Sequence, residues 1–388
     1  MPAESDWFDD YVDEEEEAQI DEYELTATPN DFNITTIFNF IESGAVKIPG
    51  FQRNYVWDIK RASKLVESLI LGLPVPQVFL YEEGRNKFLV IDGQQRLMSL
   101  YYFIKQRFPR KEKRVQLRRI FDEHGGIPDE VLHDDNYFTA FKLSLSEKLP
   151  NRPNKFKGLN YSTLGDHKVQ FDLRPIRNVI VKQNSPENDD SSIFEIFNRL
   201  NSGGINLRPQ EIRTSLYHSA FYDMLYRLNT HATWRRLLGT AEPDLHMKDV
   251  EVLLRGFAML VEGDNYAPSM TKFLNQFSKQ CKTHSGDQNE YLEKLFFGFL
   301  EGCQSLPPDI MVSKRTKRFN IALFEAVFTG ACRERFLNRE VPTGVLVEGD
   351  VRALDNDPEF LEAAQKATTQ TANVQKRLSR ARQLIQPL

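Results

Sequence analysis

The chain is poor in cysteine, in clustered histidine and in long apolar runs, and each shortage removes a class of function. Cys281, Cys303 and Cys332 are its only cysteines in 388 residues, widely spaced and with no CxxC pair. That spacing fits neither a disulfide framework nor a zinc site, and it gives no ligand set for an iron–sulfur cluster or a haem; three buried, reduced thiols are expected. No uninterrupted apolar segment reaches the length that spans a bilayer. The first 24 residues hold twelve acids and neither Lys nor Arg, unlike a secretory signal. A cytoplasmic protein with no membrane partner is therefore expected. Internal repeats of solenoid length and collagen-like or Pro-rich tracts are absent as well.

What is present is enough for a folded protein. At 40% hydrophobic residues the chain can bury a sizeable core, and its length suits two or three domains. The net charge of −5 hides an asymmetry, because beyond residue 24 there are 50 basic and 43 acidic residues. The acidic run Asp13–Glu17 reads as a solvated tail that aids solubility; a sharper reading makes it a nucleic-acid mimic covering a basic groove. On this basis residues 1–30 form an acidic disordered tail and the folded part begins near Asp31.

Ile34, Ile37, Phe38 and Ile41 follow helical spacing that Gly44 terminates, and Val46 to Ile48 reads as a short strand. Asp58 caps a second helix with the apolar face Ala62, Leu65, Val66, Leu69 and Ile70, stopped by Gly72 and Pro74. Gln77–Tyr81 and Lys87–Ile91 look like a hairpin, Arg107–Leu164 like loops and short elements, and Lys168–Asp172 and Ile176–Lys182 like further strands. The polar stretch Gln183–Ser192 is the expected boundary. This divides the fold into a 31–185 α/β domain and a mainly helical 192–388 domain that completes the site and carries a partner-binding C-terminal region. In the second domain, Pro209 starts a helix bearing Ile212, Leu216, Leu225 and Leu228, and Val250–Leu260 and Tyr291–Leu300 are helical. The last thirty residues either pack on something or bind a partner.

The most informative segment is Asp92–Arg96, Asp-Gly-Gln-Gln-Arg, where the apolar run Phe88–Ile91 meets the amphipathic stretch Leu97, Leu100, Tyr101, Ile104. A strand, a tight turn and a helix start follow from that pattern. The free amides of a first helical turn and the helix dipole favour an anion, and Gly93 allows close approach of the backbone. Arg96 offers a planar fork to phosphate oxygens, Gln94 and Gln95 orient a water or a base edge, and Asp92 holds Mg²⁺ or takes a proton. Ordinary helix capping, with Asp92 accepting amides and pairing with Arg96, explains the same five residues and stays open.

Two further polar clusters lie at element boundaries. In Gln52, Arg53, Tyr55 and Trp57, the aromatics either stack on a base or are packing residues, and Arg53 contacts a phosphate or ribose. Around Asn201–Gly204 a glycine-rich turn precedes Glu211 and Arg213, where Glu211 also suits the helix dipole without any ligand.

Four strings in order, IPGFQRNYVW, VESLILGLPVPQVFLYE, FLVIDGQQRLMSL and IFNRLNSGGINLRPQEIR, resemble the N-terminal domain family of GmrSD-type, modification-dependent restriction systems over about residues 30–260. The resemblance implies an α+β fold, a ParB/sulfiredoxin-like small mixed α/β core followed by a mainly helical region. It implies NTP hydrolysis with Mg²⁺, coupled to defence against modified phage DNA. By the same resemblance Asp92, Gln94, Gln95 and Arg96 become catalytic, and Gln52, Arg53, Tyr55, Gly93, Asn201 and Glu211 nucleotide-binding. MKDVEVLLRGFAML also looks like a family segment, with Arg255 pairing within a helical layer. Long family members continue into an HNH-type nuclease, which needs clustered His and Asn or Asp around a metal. Residues 265–388 contain only His284, so the expectation is a sensor and NTPase subunit working with a separate nuclease or effector, and a homo-oligomer is compatible with it. The competing readings are a noncatalytic ParB-like DNA-binding module switched by nucleotide, and a ParB-like nuclease whose second acid is Glu211.

Overall fold

The computed structural model describes residues 7–9, 24–48, 55–114, 116–117, 120, 127–146, 154–185, 192–193, 196, 208–244, 246–365 and 367–388. The expected site residues Gln52, Arg53 and Asn201 and the acidic run Asp13–Glu17 lie outside these. The chain divides into two compact units, one of residues 22–216 and one of residues 217–388 joined by residues 1–21. Elements are numbered along the chain from β1 (Phe8–Asp9), which belongs to the second of these units.

The unit 22–216 is built on a five-stranded mixed sheet. Its elements are β2 (Glu24–Asn33), α1 (Ile34–Glu42), β3 (Val46–Lys47), α2 (Ile59–Leu71), β4 (Val78–Gly84), β5 (Lys87–Asp92), α3 (Gln94–Ile104), β6 (Arg107–Pro109), α4 (Asp129–His133), β7 (Phe138–Ala140), α5 (His167–Asp172), β8 (Pro175–Ser185) and α6 (Pro209–Tyr217). The strand order is β2-β8-β4-β5-β3. β4 runs parallel to β8 and antiparallel to β5, and β2 runs antiparallel to β8. Leu89, Val90 and Ile91 are each at most 1% exposed, so β5 is covered on both faces, and its uninterrupted apolar run follows from that.

Local chemistry sets the helix ends as expected. The Asn33 side chain accepts the Thr36 amide at 2.7 Å to start α1, and Asp58 accepts the Arg61 amide at 2.7 Å to start α2. Gly72 closes α2 in the left-handed conformation, φ 75°. An added Cβ there would lie 3.1 Å from the Arg174 guanidinium, whose Nε donates to Leu69 O at 3.0 Å.

Three expectations need correction. Regular structure is present before Asp31, because β2 pairs with β8 from Glu24 along its whole length and β1 at Phe8–Asp9 pairs with Phe319–Asn320. Most of β2 is exposed, so backbone hydrogen bonding holds it as an edge strand and side-chain patterning gave no sign of it. Residues 167–172 form helix α5 rather than a strand; Phe171 is buried while Val169 is exposed, so the apparent alternation had no buried face to match. The boundary falls at 216/217, beyond the expected polar linker, since β8 continues to Ser185 and Ile193 is fully buried.

The second unit is helical: α7 (Ala220–Asn229), α8 (Ala232–Leu238), α9 (Lys248–Glu262), α10 (Met270–Cys281), α11 (Gly286–Gly302), α12 (Ile321–Asn338), α13 (Glu348–Asp355), α14 (Pro358–Gln365) and α15 (Thr371–Leu384), with the short strand β9 (Phe319–Asn320) pairing in parallel with β1. The single helix expected from Pro209 is split at His218–Ser219 into α6 and α7, because Ile212 and Leu216 follow one apolar phase and Leu225 and Leu228 another. α9 and α12 cross closely, since an added Cβ on Gly256 would sit 2.8 Å from Phe324 Cε1. The C-terminal stretch packs as α15 against α12, where Gly330 approaches the Ala381 carbonyl.

Buried charges here are well partnered. Asp249 Oδ2 accepts from Arg235 Nη1 at 2.8 Å, from Asn229 Nδ2 at 2.9 Å and from the Asp244 amide at 2.8 Å. Arg255 Nε donates to Glu325 Oε1 at 2.5 Å, as expected of a residue pairing within a helical layer. Arg377 donates to the Ala363 and Thr368 carbonyls, both at 2.8 Å, with its other nitrogen 3.9 Å from Glu325. All three cysteines are buried and free, and burial pushes the Cys303 thiol up to about 12. Among the described residues, no helix is long and apolar enough to cross a membrane.

Candidate functional site

β5 delivers Asp92 next to Phe79 of β4, and Gly93 turns the chain into α3 with φ 96° and ψ 9°. A side chain is excluded at Gly93 twice, since an added Cβ would lie 2.8 Å from Val78 Cγ2 and 3.1 Å from Arg96 Nη2, in a conformation L-residues rarely adopt. As N-cap, Gly93 has no side chain to offer the first-turn amides. A helix start of this kind keeps donors in reserve and carries the positive end of the dipole.

Arg96 Nη2 donates to Asp92 Oδ2 at 2.8 Å and to the Gln77 carbonyl at 3.0 Å. The pair that ordinary capping also expects is thus formed, whereas among the described residues no backbone amide donates to the Asp92 carboxylate. Arg96 is largely covered and Asp92 38% exposed, which leaves a carboxylate face open to solvent.

Gln95 does something other than orient water. Its Oε1 accepts from the Val56 amide at 2.9 Å and the Trp57 amide at 3.3 Å. One helical turn on, Ser99 Oγ donates to Gln95 O at 2.7 Å and meets the Tyr55 hydroxyl at 3.0 Å. Gln95 and Ser99 therefore clamp residues 55–57 onto α3. Tyr55 is 2% exposed, with its ring against Tyr102 and Phe108, and burial raises its hydroxyl pKa well above the ordinary tyrosine value. Of the two readings of Tyr55, packing is the one realised. Trp57 is half-buried beneath the Arg61 guanidinium, 4.5 Å from the ring centre.

The same segment is held from a second side by Arg114, whose Nη2 donates to the Trp57 carbonyl at 3.2 Å. Sequence reasoning missed this residue, because it sits in the stretch read as loops and has no local motif. Gln95 and Ser99 did leave a signal, two polar residues four apart on a helix otherwise buried around Leu97, Met98, Leu100 and Phe103.

Among the described residues of unit 22–216, four buried side-chain polar atoms have no hydrogen-bond partner: Gln94 Nε2, Arg96 Nε, Arg114 Nε and Asn178 Oδ1. Three of the four are nitrogen donors at or beside the Asp92–Arg96 corner. Buried donors without acceptors are costly unless something supplies the acceptor.

Glu211 lies apart from this description. Its carboxylate is buried and accepts the Arg208 amide at 2.8 Å, capping α6 at its third residue, and Arg213 donates to Gln210. Among the described residues no group of three or more His, Cys, Asp or Glu could hold a metal ion. Any Mg²⁺ here would rest on Asp92 with water and ligand oxygens, a set Mg²⁺ accepts, since it commonly binds through one or two carboxylates plus phosphates.

Comparison with known proteins agrees with this architecture. An uncharacterized protein of Methanocaldococcus jannaschii is 22% identical over 239 residues, covering 48% of this chain. The alignment spans 41% of that relative's length. No solved structure matches the chain. Residues 34–218 match the family described as GmrSD restriction endonuclease, N-terminal domain, a span running from the first residue of α1 to the residue after α6. Over that span, the chain belongs to the GmrSD restriction endonuclease N-terminal domain family.

Proposed function

We propose that this chain binds and hydrolyses a nucleoside triphosphate with Mg²⁺ at the Asp92–Arg96 corner, and that it regulates a modification-dependent restriction or antiphage system acting on DNA. The observation carrying this reading is the convergence of an uncapped helix start with unpartnered donors on Gln94 and Arg96. Backbone amides and the dipole receive a phosphate, Arg96 adds a guanidinium beside it, and the open face of Asp92 holds Mg²⁺. The metal supplies neutralisation of developing charge on the phosphates. Gln95 fixes the neighbouring 55–57 segment, and Gln52 and Arg53 are assigned to the nucleotide from their sequence motif alone. We assign DNA cleavage to a separate nuclease or effector, because His284, the one histidine of residues 265–388, meets Phe221 edge-on and, among the described residues, belongs to no group of three or more candidate metal ligands.

The test is a phosphate-release assay over a panel of NTPs, with and without modified and plain DNA. Turnover dependent on Mg²⁺ and lost in Asp92→Asn is expected. Absence of NTP binding overturns the reading. Salt-dependent DNA binding with nucleotide affinity but no turnover would replace it with a noncatalytic switch, a reading that draws on the single carboxylate at the corner.

A further inference from the structure

We infer that Arg114 is a second phosphate-binding guanidinium of this site, contacting a nucleotide phosphate together with Arg96. The inference rests on the nucleotide reading above and adds a residue that neither the motif nor the family match singles out.

Arg114 is half-buried, and its one hydrogen bond is from Nη2 to the Trp57 carbonyl. Its Nε is buried without a partner, and no described carboxylate pairs with it. A guanidinium cannot shed its charge at working pH, so unlike a lysine it cannot escape burial by neutralising. Burial does disfavour its charged form, with Tyr55 and Tyr102 as the only groups opposing that. Those neighbours are themselves buried phenols that stay neutral. The rest of the molecule handles buried guanidinium groups differently, supplying Asp249 to Arg235 and Glu325 to Arg255. Evidently nothing in the described structure compensates Arg114, and an incoming oxyanion would.

Its place fits that role. Arg114 and Gln95 grip the same residue, Trp57, one at the carbonyl and one at the amide. Gln95 lies between Gln94 and Arg96 in the first turn of α3, so Trp57 links Arg114 through two hydrogen bonds to the turn that carries the other two orphan donors. A triphosphate offers acceptors enough for all three, and bidentate guanidinium contacts are the strong form of phosphate recognition.

The experiment is calorimetric titration of the full chain with NTP and Mg²⁺, and with the corresponding nucleoside, for wild type, Arg114→Met and Arg114→Lys. Arg114→Met is expected to weaken NTP binding at least tenfold while leaving nucleoside affinity unchanged, with Arg114→Lys between the two. A merely structural role would lower the melting temperature and affect both ligands alike. Loss of the bond to the Trp57 carbonyl lowers the melting temperature of Arg114→Met in either case, so the split between NTP and nucleoside affinity is the deciding readout. NTP affinity unchanged in Arg114→Met overturns the inference and leaves the nucleotide reading standing. A loss confined to DNA affinity also overturns it, and wild type that binds no NTP overturns both. Should Arg114→Met fail to fold, the Arg114→Lys titration decides alone, with wild-type affinity counting against the inference.

Discussion

The helical unit and the Asp92–Arg96 region treat covered arginines in opposite ways, whereas Arg213, elsewhere in unit 22–216, is buried and donates to Gln210. In the helical unit Arg235, Arg255 and Arg377 are at most 8% exposed, and each is matched by carboxylates or carbonyls at good distances. In the α/β unit Arg96 and Arg114 are covered less completely yet keep an unpartnered Nε each. A buried charge with all its partners belongs to the fold. One left short of acceptors is an arrangement the chain maintains at a cost, and such sites are where ligands supply what is missing.

The contrast can be broken most forcefully at Glu325. Glu325→Ala leaves Arg255 and Arg377 buried without their carboxylate, and stability should fall by about 3–5 kcal/mol; urea unfolding measures it, and a loss below 1 kcal/mol would deny that this network is structural. Next in size is Gly93→Ala, which forces a left-handed conformation and a 2.8 Å approach to Val78. A loss of about 1–3 kcal/mol is expected, together with loss of nucleotide binding. Asp92→Asn sharpens the comparison from the other side. Its pair with Arg96 is partly solvated, so stability should change by less than about 1 kcal/mol, while Mg²⁺-dependent turnover disappears. A large stability loss without a binding defect would place Asp92 with the structural charges.

The smallest effect concerns His284. Burial holds its pKa below the ordinary histidine value, partly opposed by the neighbouring Asn289 side chain. The folded state therefore binds a proton less readily than the unfolded chain, so this contribution is fully present above pH 6.5 and is lost as pH falls towards the folded value. Melting temperature should drop between pH 7.5 and 5.5, less steeply in His284→Gln; identical slopes would remove the assignment.

Much of the α/β unit was legible because its signals are local. Asp58 and Gly72 bracket α2, the apolar face Ala62–Ile70 is buried, and the hairpin leading to Asp92 appears within three residues of its expected ends. β2 was illegible because an exposed edge strand is held by backbone pairing with β8, 142 to 161 residues away, which leaves no periodic trace. The Asp92–Arg96 corner could be read from its strand-turn-helix pattern. Arg114 could not, since what marks it is a missing partner, and that becomes visible only when the surroundings are known.

Hydrogen–deuterium exchange of the Gly93–Arg96 amides, with and without saturating NTP and Mg²⁺, tests the central claim most directly. Those amides should exchange at least tenfold more slowly with nucleotide bound, while the amides around Asp249 and Glu325 keep their rates. Unchanged exchange at the corner, with nucleotide bound elsewhere or not at all, would contradict the account.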